Sequence, residues 1–362
     1  MDSSDRRHRP SRKNRLPLLL LGIGLAITPG RSDAQGQANR CAVGAAIGQP
    51  HHYVFLNRDR ERIADSASLH TAALEGAQIK YTWRELEPEK DRYDLSAVQH
   101  DLAYLRAHGK RLFIQLQDVS FDKQIVNTPS YLQHDSMYHG GIAPQIGIGS
   151  DSMVRVAGWT ARRWDPAVQA RWRQLIDTLA RAFDGKIEGI VLPETALDVG
   201  PDSGRWPPGF SPARYRDAVI ENMTALKRAF PRSVAMQYGN FMPGEWMTAN
   251  DHGYLKSVYA AAARLGVAMG GPDLLPHQRG HTLHAYPLLH EHARNGVTGI
   301  AVQEGNYERI DPCSERRPSI SELIAFARSS LGARYMFWST EEPFYSRDLL
   351  PYLAGVAPNA GP

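Results

Sequence analysis

The sequence predicts an α/β protein folded as one (β/α)8 TIM barrel. Short apolar runs alternate with amphipathic helical segments eight times, with no block where strands or helices run alone. Such alternation gives a parallel sheet covered by helices. Eight units in roughly 320 residues match a closed barrel with loop insertions. The competing architecture, a doubly wound open sheet, is disfavoured because no Gly-x-Gly-x-x-Gly comes after the first apolar run.

The chain begins with a segment of different character. Arg6 to Arg15 is basic, Leu16 to Ile27 is apolar, and Ser32-Asp33-Ala34 offers small residues to a signal peptidase. The apolar run is shorter than the ~20 residues a membrane-spanning helix needs. Residues 1–34 are therefore expected to be a cleaved signal peptide ending near Ala34, with an uncleaved anchor as the alternative. The expected location is secreted or periplasmic, with no stable membrane span after cleavage. Residues 35–40 read as a linker, 41–356 as the barrel and 357–362 as a tail.

Along the chain, Cys41 to Ile47 is expected to be the first strand, and Asp59 to Leu74 a helix. Ala77 to Trp83 is the second strand, with the charged loop Arg84 to Asp91 behind it. Leu95, Val98, Leu102 and Leu105 share a helix face that Gly109 ends. Arg111 to Gln117 is the third strand. Asp118 to Arg163 reads as a long loop, and a loop of that length in a compact domain is more often functional than idle. Asp165-Pro166 opens a helix whose apolar face is Val168, Trp172, Leu175, Ile176, Leu179 and Phe183. Ile187 to Leu192, Ser233 to Tyr238, Val267 to Gly270, Val297 to Gln303 and Arg334 to Trp338 are strands four to eight, with helices between them. Trp159, Trp164 and Trp172 are assigned to packing, and the Asn222-Met223-Thr224 sequon lies inside a helix.

Charge excludes one class of partner. The chain has 42 Lys and Arg against 38 Asp and Glu, but the first 34 residues hold 7 basic and 3 acidic ones. The chain beyond Ala34 is formally neutral, so nothing in its net charge points to nucleic acid. The two cysteines, Cys41 and Cys313, could form a disulfide in an oxidising compartment or stay as thiols.

Active-site residues of a barrel sit where strands end and loops begin. Those positions hold Trp83, Arg84, Gln115, Gln117, Glu194, Tyr238, Asn240, Asp273, His277, Glu304 and Trp338. Carboxylates, amides and flat aromatic rings together suit a sugar. The apolar runs Gly189 to Glu194 and Gly299 to Glu304 each deliver one glutamate. Trp83-Arg-Glu-Leu-Glu-Pro-Glu-Lys-Asp-Arg-Tyr-Asp94 carries a tryptophan, a Glu-Pro and a Tyr-Asp behind strand two.

On these residues the chain resembles the clan A glycoside hydrolases. In that group an acid/base glutamate ends strand four, a nucleophile glutamate ends strand seven, and a tryptophan commonly ends strand eight. The resemblance implies a retaining β-glycosidase acting on an oligo- or polysaccharide, with Glu194 as acid/base and Glu304 as nucleophile. Trp83, Arg84, Gln115, Gln117, Tyr238, Asn240, Asp273, His277 and Trp338 would contact substrate, and neither metal nor cofactor is implied. One departure stands out: the family's asparagine before the acid/base glutamate is replaced by Pro193, which offers no donor. Either another group, such as Asn240 or Gln115, contacts the sugar, or the chain is a distant relative of that group, or the barrel binds carbohydrate without turnover.

Other groups have plainer readings. A strand-end glutamate can cap a helix or pair with arginine. Asp198 and Asp273 are fallback acids. His277, His281 and His284 recur at close spacing, and histidine is the commonest metal ligand, so a metal-dependent barrel hydrolase is a further alternative. His290-Glu291-His292 is expected at the surface.

Overall fold

The computed structural model describes residues 48–57, 59–148, 154–200, 204–245 and 248–355. Eleven strands occur among them. They are β1 (His51–Asn57), β2 (Leu74–Thr82), β3 (Arg111–Gln117), β4 (Val119–Ser120), β5 (Ile142–Ile148) and β6 (Val154–Ala161), then β7 (Gly189–Leu192), β8 (Val234–Tyr238), β9 (Ala268–Gly271), β10 (Thr298–Val302) and β11 (Tyr335–Ser339). Eight of them close a parallel barrel in the order β1-β11-β10-β9-β8-β7-β3-β2. The (β/α)8 fold is therefore present.

Strand alternation divides the apolar residues in two. Tyr53, Phe55, Phe113, Val191, Met236, Tyr238, Ala268, Ala301, Tyr335 and Phe337 fill the barrel interior. The opposite faces of the same strands pack under the helices, with Ile79, Tyr81, Ile190, Leu192, Ile300, Val302 and Trp338 among them. Gly189 is needed inside, because a Cβ there would lie 2.2 Å from Cε1 of Phe113.

The helices form for local reasons as well as by burial. Pro166–Phe183 starts with Pro at its first turn, and the Asp165 side chain accepts from the N–H groups of Ala167 and Val168. Its buried face is the predicted one, and each large side chain on it contributes about 1.5–3 kcal/mol by leaving water. Ile320–Leu331 is opened by a capping box between Ser319 and Glu322 and ended by Gly332 in the left-handed region, at φ 63°.

Three expectations are corrected. The first barrel strand is His51–Asn57, whereas Cys41 to Ile47 lies outside the described residues, as does the 1–34 segment. The Asp59 to Leu74 helix is two short turns, Arg60–Ala64 and Ser66–His70, and Leu74 already belongs to β2. The Asp118 to Arg163 stretch is not a bare loop. It folds into an antiparallel sheet in the order β4-β6-β5, which is fastened to the barrel where Ile146 N–H donates to the Asp198 carbonyl at 2.8 Å.

Candidate active site

Glu194 stands two residues past β7, at the barrel's C-terminal mouth. Its Oε2 accepts a 2.6 Å hydrogen bond from Nδ2 of Asn240, which lies just past β8. Its backbone carbonyl accepts from Nη1 of Arg163, at 3.1 Å. That guanidinium is itself buried against Asp118, donating from Nε at 2.8 Å and from Nη2, and it also donates to the Tyr215 hydroxyl at 2.8 Å. Arg163 follows the inserted sheet and Asp118 follows β3, so one buried ion pair ties the insertion to the barrel and to the Glu194 carbonyl. Burial is the largest influence on the Glu194 carboxyl. It acts with the negative charge of Asp273 to push the pKa up to about 7, against Asn240, Lys80 and Arg163, which pull it down.

Asp273 stands two residues past β9, partly buried. Nδ2 of Asn306 donates to its Oδ1 at 3.0 Å, and the Tyr286 hydroxyl donates to its backbone carbonyl at 2.8 Å. Burial raises its pKa, while the Asn306 bond and the Arg309 charge oppose the rise.

Gln115 and Gln117 share the parity of Phe113 on β3 and therefore face inward. Both are buried, and the Oε1 of each has no hydrogen-bond partner. Beside them on β2, Lys80 pairs in register with Gln115, and its Nζ donates to Oδ1 of Asn57 at 2.6 Å.

Glu304 also stands two residues past its strand, on a turn after β10; it is exposed, with no hydrogen bond or ion pair among the described residues. The remaining predicted positions have other surroundings. Trp83 is fully buried against Trp172 and donates from Nε1 to Glu87 at 2.8 Å. Arg84 is exposed and donates to the Thr128 carbonyl at 2.9 Å. Tyr238 belongs to the barrel interior, where its hydroxyl accepts from Gln78 at 2.9 Å. Trp338 faces the helix layer and donates from Nε1 to Nδ1 of His52 at 3.1 Å. Asp198 accepts from the Gly200 N–H at 3.1 Å.

The histidines are spread over separate contacts. His277 lies 3.2 Å from Oδ1 of Asp311. His284 lies 3.3 Å from Glu245, a buried carboxylate that also accepts from the N–H groups of His252, Tyr254 and Leu255. Burial holds His281 near pKa 4 with both ring nitrogens unpartnered. His292, expected at the surface, is buried. Ligand-type atoms of His277, Asp311 and Cys313 come together, but Cys313 is disulfide-bonded, so no thiolate is offered there. Cys41 lies outside the described residues. No helix among the described residues is long and apolar enough to cross a membrane.

Sequence reasoning missed Lys80, Asp118, Arg163 and Asn306. Lys80 had a usable signal. Ala77, Ile79 and Tyr81 form one apolar parity of β2, which leaves Gln78, Lys80 and Thr82 to face the barrel axis.

No family model matches the chain, and no curated protein matches it. Solved structures do. The catalytic domain of β-amylase from Paenibacillus polymyxa is similar with a TM-score of 0.51 at 9% identity, over 81% of this chain and 93% of that one. A GH5_18 structure from Streptomyces cattleya, in complex with Manb1-4GlcNAc, is similar with a TM-score of 0.50 at 13% identity, over 80% and 70%. At such identities the likeness is one of fold. The chain folds as a (β/α)8 barrel distantly similar to those of glycoside hydrolases.

Proposed function

We propose that this barrel hydrolyses glycosidic bonds in an oligo- or polysaccharide, with Glu194 as the proton donor. The observation that carries the reading is the Glu194 carboxyl itself. It sits at the barrel mouth, is gripped by Asn240, and titrates near pH 7 because burial and a neighbouring acid disfavour its charge. A carboxyl half protonated at neutral pH is matched to giving a proton to a departing sugar oxygen. The open amides of Gln115 and Gln117 support a hydroxyl-rich ligand, and the fold likeness to β-amylase and to a sugar-bound GH5_18 structure is in keeping with it.

The resemblance implies a retaining scheme with Glu304 as nucleophile, but Glu304 is exposed on a turn past β10, and the step proposed is the one in which Glu194 protonates the leaving oxygen. Residues 1–34 would export the protein to the periplasm or medium, and the inserted sheet would wall one side of the cleft. A second reading, carbohydrate binding without turnover, is motivated by Pro193.

Purified protein assayed on a panel of defined oligosaccharides tests both. Hydrolysis that falls by about 10²–10⁴ in Glu194→Gln, with sugar binding retained, supports the proposal. Binding without cleavage anywhere on the panel sinks it in favour of the second reading. Activity abolished by a chelator would favour metal-dependent hydrolysis instead.

A further inference from the structure

The edges of β7 and β9 end alike. Leu192 is succeeded by Pro193 and Glu194, and Gly271 by Pro272 and Asp273. Each carboxylate thus stands two residues beyond its strand, directly after a proline. Each also accepts from an asparagine delivered by the next strand around the barrel, Asn240 after β8 and Asn306 after β10.

The two asparagines are pinned in the same way. Oδ1 of Asn240 accepts from the N–H groups of Ala196 and Phe241, at 3.1 and 2.9 Å. Oδ1 of Asn306 accepts from those of Leu274 and Gln303, at 3.0 and 3.1 Å. An amide whose oxygen is committed to two backbone donors has only Nδ2 left to present, so each carboxylate meets a fixed donor. The register places the two on neighbouring parts of one rim, since Leu192 pairs with Gln237 and Gln237 with Met269.

We infer that Asp273 is the second catalytic carboxylate, working as general base opposite Glu194. This rests on the glycosidase reading above, and it replaces Glu304, which is exposed and unheld among the described residues. The groups whose charge or hydrogen bonding acts most on Glu194 are Asp273, Asn240, Lys80 and Arg163, and those acting on Asp273 are Asn306 and Arg309. The charge of Asp273 is one of the influences that raise the Glu194 pKa, so the two carboxyls are coupled. Two coupled carboxyls of which one donates and the other accepts a proton are what this chemistry needs. Asp273 is partly exposed, so water reaches it. In the step, a water oxygen bonds to the anomeric carbon while one of its protons passes to Asp273. The carbon–oxygen bond to the leaving sugar breaks, its electron pair stays on that oxygen, and the oxygen takes the proton of Glu194.

Two measurements test this. On a substrate found in the panel, Asp273→Ala should lose about 10²–10⁴ in kcat/KM and regain rate with added azide, whereas Glu304→Ala stays within about tenfold of wild type. The reverse ranking overturns the inference and leaves the role of Glu194 standing, and a covalent glycosyl adduct on Asp273 overturns the base role. The second measurement needs no turnover and uses a variant that keeps the shape of the site. Carboxyl titration by infrared difference spectroscopy in Asp273→Asn should show the Glu194 pKa falling by about one unit as the neighbouring charge disappears. An unchanged Glu194 pKa overturns the pairing, whatever the assays show.

Discussion

Asn240 reaches across from β8 to hold Glu194, with Nδ2 donating to Oε2 at 2.6 Å while its own Oδ1 is taken by two backbone donors. The bond favours the ionised carboxylate, which is why it opposes the upward push of burial. Asn240→Ala should therefore raise the Glu194 pKa above about 7 and move the alkaline limb of the kcat/KM profile to higher pH. Loss of positioning should also lower kcat by about 10–100-fold. A profile whose alkaline limb stays in place would show that Glu194 is not the group it reports.

The same carboxyl makes a prediction about stability. Its folded pKa, about 7, lies above the ordinary glutamate value of 4.5. Between those two values the native state keeps a proton that the unfolded chain has released, so stability falls as pH rises through the window. The contribution is fully present below the unfolded value and lost above the folded one. Glu194→Gln removes this dependence. The variant should melt at a higher Tm than wild type above pH 7, with the gap narrowing towards pH 4.5, as thermal unfolding at several pH values would show.

The barrel was legible because its helices carry strong three-and-four periodicity and caps, as in Pro166–Phe183. Inner and outer strand faces were harder to assign, because barrel strands are buried on both sides and read as continuous apolar runs. Trp83 and Trp338 looked like mouth residues for being aromatic at strand ends, yet both share the parity that faces the helices. β1 was hidden because His51-His52 opens it and Asn57 closes it, while the smaller apolar run before it drew the assignment. Glu194 was legible as a strand-end carboxylate. Its support was not, because Asp118 and Arg163 lie 45 positions apart and meet only once β4, β5 and β6 form a sheet.

That distant pair carries the third prediction. Arg163 and Asp118 are both buried, joined through two hydrogen bonds, and Arg163 also grips the Glu194 carbonyl. Removing one partner strands the other charge in the interior, at a cost of about 3–5 kcal/mol. Arg163→Met should therefore lower the urea midpoint by that equivalent and also reduce kcat. Asp118→Asn should lose stability with a smaller effect on kcat, because the Arg163 bond to Glu194 can persist. Equal kcat losses in the two variants would mean that Arg163 acts on the site only through overall stability.

The last prediction separates a structural carboxylate from a catalytic one. Glu87, in the Trp-Arg-Glu-Leu-Glu-Pro run, is fully buried. It accepts from Nε1 of Trp83 at 2.8 Å, from the Asp91 N–H at 3.1 Å and from Arg171. Arg171 belongs to the Pro166–Phe183 helix, and its neighbour Trp172 packs on Trp83 with ring centroids 5.0 Å apart. The motif that carries part of the family resemblance thus bolts the turn after β2 to a helix. Glu87→Ala leaves Arg171 without its buried counter-charge and Trp83 without an acceptor, and should cost about 3–5 kcal/mol. Its pH–rate profile should nevertheless keep the wild-type shape at temperatures where the variant is folded, since Glu87 is not among the largest influences on Glu194. A displaced alkaline limb in that variant would place Glu87 in the chemistry after all.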